Sequence, residues 1–308
     1  MGASVEKKKR TTLAKDYIGW EIYVIIQAFI CVLPLRVAYW LASLAGELMC
    51  LFAKKNRLMV ERNLRLGLGL DQRTIKKYKH QIFKNFCKNV VDFLRFDFFD
   101  EKWFKEYVEV VGRENMVKAL SQGNGAIIIS AHLGNYELAA LMNLMCGFPM
   151  NAIWASHKNP RIEEFFVAPR IKKGIKVILT GGAMKKSLQA LALNETVAFV
   201  IDYAYGGRGI EIEFFGRKTI IPKGVAIAAL QCKVPIVPYI GVRKDNLKYK
   251  IVYGDAVKYN LTGEEEKDIK EILSQSVKAI EKYIREYPDQ WVLFRDCWPR
   301  EKSNSASQ

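Results

Sequence analysis

From Gly125 onward, short continuous apolar runs alternate with segments of helical periodicity, and this alternation limits the possible folds more than any other feature of the chain. Strands are expected at 125–131, 150–155, 175–179, 197–202, 210–215, 234–240 and 247–253. Helices are expected at 134–146, 160–173, 182–193, 223–231 and 265–286. Runs such as Val197-Ala198-Phe199-Val200-Ile201 carry no polar alternate, so the central strands should be covered on both faces. The last helix follows Thr262-Gly263-Glu264, which is capping chemistry. Segment 97–124 reads as two short helices around a strand, with Gly123-Asn124-Gly125 turning into the first core strand. The expected class is α/β, a central mixed sheet flanked by helices over 56–300.

Residues 1–55 read differently. Lys7, Lys8, Lys9 and Arg10 precede an apolar run from Ile22 to Leu33, ended by Pro34 and Arg36, and a second apolar stretch runs from Val37 to Ala53. A spanning helix needs about 20 apolar residues, and the first run is shorter. It also lacks a small-residue cleavage site, so it is not a secretory signal peptide. Three readings fit: a helical hairpin entering one leaflet, a single span from about Trp20 to about Trp40, or two buried helices of a soluble domain. Trp20, Tyr23, Tyr39 and Trp40 have the character of interfacial anchors. The flanking basic clusters, Lys7 to Arg10 and Lys54, Lys55 and Arg57, suit an anionic leaflet. A hydrophobic helical segment for membrane attachment is therefore expected at the N-terminus. Residues 54–96 are helical in pattern, with one apolar and one basic face, and the polar tail 301–308 is expected to be disordered.

Lys and Arg outnumber Asp and Glu 48 to 32, a net charge of +16. Such an excess favours polyanionic partners: nucleic acid, anionic lipid headgroups or an acidic protein. The basic residues are not interleaved with an RNA-binding motif, and an apolar N-terminus has no use in nucleic-acid binding. The six cysteines include no C-x-x-C pair and read as reduced core thiols.

Of three histidines, His132 stands out. It lies where the strand Gly125 to Ser130 ends and an apolar helix begins, with Glu137 about one turn further on. That is a place for a general base and the carboxylate that orients it. Ligands of open α/β sheets bind at the carboxyl ends of strands. Two further strand ends carry polar residues: Asp202, followed by Tyr203 to Gly209 with Arg208, and Asn159-Pro160-Arg161 with Arg170 beyond. Arginines at such a cleft suit bidentate binding of phosphate or carboxylate. The histidines and carboxylates lack zinc-ligand spacing, so no metal is expected. There is no G-x-S-x-G nucleophile elbow.

Several blocks together resemble the lipid A biosynthesis acyltransferases, the lauroyl and myristoyl transferase branch of the lysophospholipid acyltransferase superfamily. They are His132-Leu133-Gly134-Asn135-Tyr136-Glu137, Asn159-Pro160 with Arg170, Asp202 to Arg208, Phe214-Phe215-Gly216 with Pro222-Lys223-Gly224, Val234-Pro235-Ile236-Val237-Pro238, and Pro288-Asp289-Gln290-Trp291. Leu33-Pro34-Leu35 and Asn63-Leu64 also fit. The chain has Tyr203 where the family commonly has Gln or His. Its C-terminal element reads Trp291-Val292-Leu293-Phe294-Arg295-Asp296-Cys297-Trp298 rather than Trp-x-His-Arg-Arg. These differences bear on donor and acceptor identity, not on reaction type.

The resemblance implies a glycerolphosphate-acyltransferase-like fold and an enzyme on the cytoplasmic face of the inner membrane. It would move a fatty acyl chain from acyl carrier protein, or acyl-CoA, to a hydroxyl of a lipid A precursor. A lysophospholipid or a mannosylated phosphatidylinositol is the alternative acceptor, and a non-catalytic lipid-binding protein the alternative class. His132 is expected to take the alcohol's proton, and Glu137 to hold the imidazole's tautomer. Backbone N–H groups of the helix from Gly134 are expected to receive the oxyanion. Arg170, Arg208, Asp202 and Asn135 are assigned to substrate binding, with Asp202 orienting an arginine or assisting His132. One of Phe214 and Phe215 is expected to face the acyl groove. Lys172, Lys173, Lys185 and Lys186 should suit acyl carrier protein and anionic headgroups. No cofactor is required beyond the acyl donor.

Overall fold

The computed structural model describes residues 21, 24–155, 159–245 and 247–298. The basic run Lys7 to Arg10, Trp20, Tyr23, His157 and the tail 301–308 lie outside them. Seven strands form a central sheet in the order β1-β9-β8-β2-β5-β3-β4. They are β1 (Val108–Val111), β2 (Ala126–Ser130), β3 (Met150–Trp154), β4 (Lys176–Leu179), β5 (Thr196–Val200), β8 (Ile236–Arg243) and β9 (Tyr249–Tyr253). Every pairing is parallel except β8 with β9, so the sheet is mixed, as expected.

β2 lies between β5 and β8 and is buried at all five positions, which is why its sequence is an unbroken Ala-Ile-Ile-Ile-Ser. The strand period of two sends Ile127 and Ile129 to one face and Ile128 to the other. On the first face they meet α8 (Ala183–Ala192), α9 (Gly224–Cys232) and α10 (Glu265–Glu286). On the second, Ile128 joins Met116 of α5 (Arg113–Leu120) and Leu141 of α6 (Tyr136–Met145). The short α4 (Glu101–Tyr107), β1 and α5 are the two helices around a strand expected of 97–124.

One expected strand is not part of this sheet. Residues 210–215 form β6 (Ile210–Phe214), which pairs only with β7 (Arg217–Ile221) in a separate hairpin. Glu211 and Glu213 point outward, while Phe215 and Gly216 both take positive φ (52° and 70°) in the two-residue turn. The strand β7 opens with Arg217 and Lys218, which hid it among helix-compatible residues.

At the N-terminus, residues 24–32 are helical, the chain bends at Leu33–Pro34, and α1 (Leu35–Phe52) begins. A continuous span from Trp20 to Trp40 would have to cross that break. The inner face of α1, with Ala38, Tyr39, Ala42, Gly46 and Cys50, packs on α3 (Gln72–Leu94), and α2 (Lys54–Leu68) follows. A Cβ on Gly46 would fall 2.7 Å from the Lys84 Cα, so the two backbones touch there. The outer face is exposed and apolar: Val37, Trp40, Leu44, Leu48, Leu51 and Phe52. These helices are therefore not the buried pair of a soluble core.

Candidate active site

The adjacency of β2 and β5 builds the site. Their register pairs Ser130 with Val200, so the parallel chains leave the sheet side by side and His132 and Asp202 emerge together. The Ile201 N–H still donates to the Ser130 carbonyl at 2.9 Å. One turn later the His132 N–H donates to Asp202 Oδ2 at 3.0 Å, and Nδ1 lies 2.8 Å from Oδ1. Asp202 Oδ2 also accepts from Trp291 Nε1 at 2.8 Å. The Asp202 carboxylate is wholly buried, and a buried charge is tolerable when so many donors meet it.

This network fixes the tautomer. Nδ1 carries its proton toward the carboxylate, leaving the Nε2 lone pair on the other edge of the ring. Nε2 makes no hydrogen bond among the described residues, and the side chain keeps 30% of its exposure. Burial alone would lower the imidazole's pKa, but the Asp202 carboxylate outweighs it and raises the pKa above the usual histidine value. Asp202 moves the other way: burial would raise it, and the His132 ring, with Trp291, holds it below the usual carboxylate range.

The partner expected from sequence was Glu137, and the structure corrects this. The Glu137 carboxylate bonds Arg170, from Nε at 3.0 Å and from Nη2, not His132. One helical turn carries Glu137 toward α7 (Pro160–Lys172), whereas the parallel strands bring Asp202 to the ring. Glu137 still acts on the imidazole through space, adding to the upward shift.

Arg170 is likewise not free to grip a phosphate. Its remaining nitrogen donates to the Phe166 carbonyl, and the guanidinium lies 4.9 Å over the Phe93 ring and 4.4 Å over Trp154. Only 4% of the side chain is exposed, so its role here is to hold Glu137. Asp202 faces His132 rather than an arginine or solvent. Asn135 caps α6, accepting from the Leu138 N–H at 3.0 Å, and donates to Asp92 at 2.7 Å. It is buried and presents nothing to a ligand. Arg208 alone of the expected binding residues is exposed, on the loop after Asp202. Phe214 and Phe215 are both core residues, packed with Trp291 and Trp298.

The expected oxyanion donors shift by two residues. Gly134 takes φ +64° and is pressed on β8, where a Cβ would meet the Gly241 carbonyl at 2.1 Å. Its N–H is spent on the Gln290 carbonyl, and that of Asn135 on the Gly241 carbonyl. The helix therefore starts at Tyr136, and the first-turn N–H groups of Tyr136 and Glu137 carry no bond among the described residues. They point along the positive end of the helix dipole beside His132.

Sequence reasoning assigned no role to the C-terminal clamp. Residues 290–292 run alongside the His132 turn. Val292 N–H donates to the His132 carbonyl at 2.7 Å, and Leu133 bridges Trp291. The block Pro288-Asp289-Gln290-Trp291 was visible, but only the fold shows that its indole reaches Asp202.

The chain is similar to several curated proteins over parts of their length. It is 25% identical to a phosphatidylinositol mannoside acyltransferase of Mycolicibacterium smegmatis over 137 residues, 43% of this chain and 45% of that protein. It is 24% identical to a lipid A biosynthesis lauroyltransferase of Escherichia coli strain K12 over 224 residues, 71% of this chain and 72% of that one. With a lipid A biosynthesis palmitoleoyltransferase of the same organism it shares 24% identity over 180 residues, 58% of each. The model of one family, bacterial lipid A biosynthesis acyltransferase, matches residues 5–300. With that match across nearly the whole sequence, and a histidine held ready at the carboxyl end of β2, the chain belongs to the bacterial lipid A biosynthesis acyltransferase family.

Proposed function

We propose that this chain transfers a fatty acyl group from a carrier thioester, acyl carrier protein or acyl-CoA, to a hydroxyl of a lipid, with a lipid A precursor as acceptor. One observation carries the reading: an imidazole whose Nδ1 is anchored by a buried carboxylate while Nε2 is left open. An alcohol is a weak nucleophile until its proton is taken. Nε2 of His132 removes that proton as the oxygen attacks the thioester carbonyl carbon. Asp202 stabilises the imidazolium that forms. The oxyanion is received by the N–H groups of Tyr136 and Glu137. Collapse breaks the carbon–sulfur bond, and the imidazolium returns its proton to the departing thiolate. No acyl-enzyme is required.

Arg208, exposed six residues beyond Asp202, is the cation proposed for a phosphate of donor or acceptor. Lys185 and Lys186 are exposed and suit an acidic carrier protein. The outer face of α1, followed by exposed Lys54 and Lys55 at the start of α2, supports attachment to an anionic leaflet, for which the cytoplasmic face of the inner membrane is proposed. A mannosylated phosphatidylinositol is the second acceptor reading, favoured by the similarity to the mycobacterial enzyme.

The test is transfer from labelled acyl carrier protein or acyl-CoA to a lipid A precursor or a phosphatidylinositol mannoside by the purified full chain. Mass spectrometry of lipids from a deletion strain would run in parallel. Loss of one acyl chain from lipid A in the deletion strain, restored by the wild-type gene but not by His132→Ala, is expected. Restoration by the alanine variant would refute the mechanism.

A further inference from the structure

A second buried carboxylate, Asp92 of α3, lies on the opposite side of the His132 turn from Asp202. Its Oδ2 accepts from Asn135 Nδ2 at 2.7 Å, Arg243 Nη2 at 2.6 Å and the Tyr249 hydroxyl at 2.5 Å, and its Oδ1 from the Tyr39 hydroxyl. Arg243 also donates to the Tyr39 oxygen at 2.7 Å, to the Tyr249 oxygen, and to Asn89 Oδ1 at 3.0 Å. Asn89 in turn donates to the Gly134 carbonyl at 2.6 Å. Gln290 accepts from the Arg243 N–H at 2.9 Å and donates to its carbonyl at 2.9 Å, while its own backbone carbonyl takes the Gly134 N–H.

Two observations set this cluster apart from an ordinary buried ion pair. It touches the His132–Glu137 turn at Gly134 and Asn135, the two residues that lead into α6. It also reaches Tyr39, on the helix whose other face is exposed and apolar. Four donors meet one buried carboxylate, and among the described residues the Arg243 Nε is the group of the cluster left buried without a partner. Burial and the neighbouring carboxylate raise the Tyr39 pKa, so its hydroxyl stays a donor at neutral pH.

We propose that Asp92 and Arg243 are a positioning pair for acyl transfer. They fix the start of α6, and with it the Tyr136 and Glu137 N–H groups, and through Tyr39 they make that geometry depend on the seating of α1 against α3. Neither residue touches the reacting atoms. This inference rests on the transfer reaction proposed above.

The experiment uses the full chain with an acyl thioester donor and compares wild type, Tyr39→Phe and Asp92→Asn. Rates are normalised to folded protein by near-ultraviolet circular dichroism. Tyr39→Phe keeps the ring and removes one hydroxyl, so it tests the idea even if Asp92→Asn fails to fold. A fall in kcat of about three- to tenfold is expected for Tyr39→Phe, the size of one ordinary net hydrogen bond, because the hydroxyl acts on the reacting geometry only through Asp92. The KM for the donor and the acid limb of the pH profile, set by His132 and Asp202, should stay in place. The proposal is overturned if kcat per folded molecule of Tyr39→Phe is within twofold of wild type, or if the acid limb moves with it. If the wild type itself transfers nothing from any thioester, the proposed function fails rather than this inference.

Discussion

Asp202 and Asp92 are both buried carboxylates, both met by several donors, and they sit on either side of the same turn. They differ in what their partners can do. Every donor to Asp92 is itself buried or committed elsewhere, so the cluster is closed and its charge can only hold structure. Asp202 binds an imidazole whose far edge is open, so the charge it stabilises can change when a proton arrives at Nε2. The lesson is that burial and hydrogen-bond count do not mark a reactive group. The open valence on the partner does.

The sharpest way to break this contrast is to remove the open edge. In His132→Ala the transfer rate should fall about a thousandfold, within the usual range for loss of a general base, in a steady-state assay. A fall below tenfold would place the chemistry elsewhere. Next comes Asp202→Asn, which should lower the plateau rate about a hundredfold. Because the base works unprotonated and its pKa is raised by Asp202, wild-type kcat/KM should climb with pH through a value above the ordinary imidazole range. In Asp202→Asn burial is opposed only by the more distant Glu137 and that limb should move to lower pH. A pH–rate profile in which the limb stays put would equate Asp202 with Asp92.

Trp291→Phe removes one of the bonds on Asp202 without removing its charge. A loss of roughly 1 kcal/mol, or a fewfold in kcat, is expected. The smallest effect should come from the surface. Lys185→Glu with Lys186→Glu should raise the KM for acyl carrier protein about threefold at low salt and less as ionic strength rises, with kcat unchanged. A change in kcat would show that these lysines do more than steer.

Much of the architecture was legible because it rests on local patterns. Continuous apolar runs gave six of the sheet strands, and the strand-to-helix junction at His132 marked the site. The pairing of His132 with Asp202 was only half visible. It depends on β2 and β5 being neighbours, a relation between segments some 70 positions apart that no local period encodes. Glu137 was the nearer carboxylate in sequence and so the more obvious partner, yet helix direction turned it toward Arg170. Asp92 did leave a trace: it is a lone acid inside Val90-Val91-Asp92-Phe93-Leu94, a placement that is costly unless donors surround it. The arginine and tyrosines that surround it come from three distant elements, and only folding assembles them.

The clamp made by residues 290–292 sets an order on the life of the molecule. The main chain of the His132 turn is braced by a stretch that leaves the ribosome long after His132 itself, so the turn is born without its brace. A nascent chain that has finished the sheet still lacks the indole that steadies Asp202. The His132 turn and Asp202 therefore gain their full set of partners only once residues 290–292 have been made and have folded back against them.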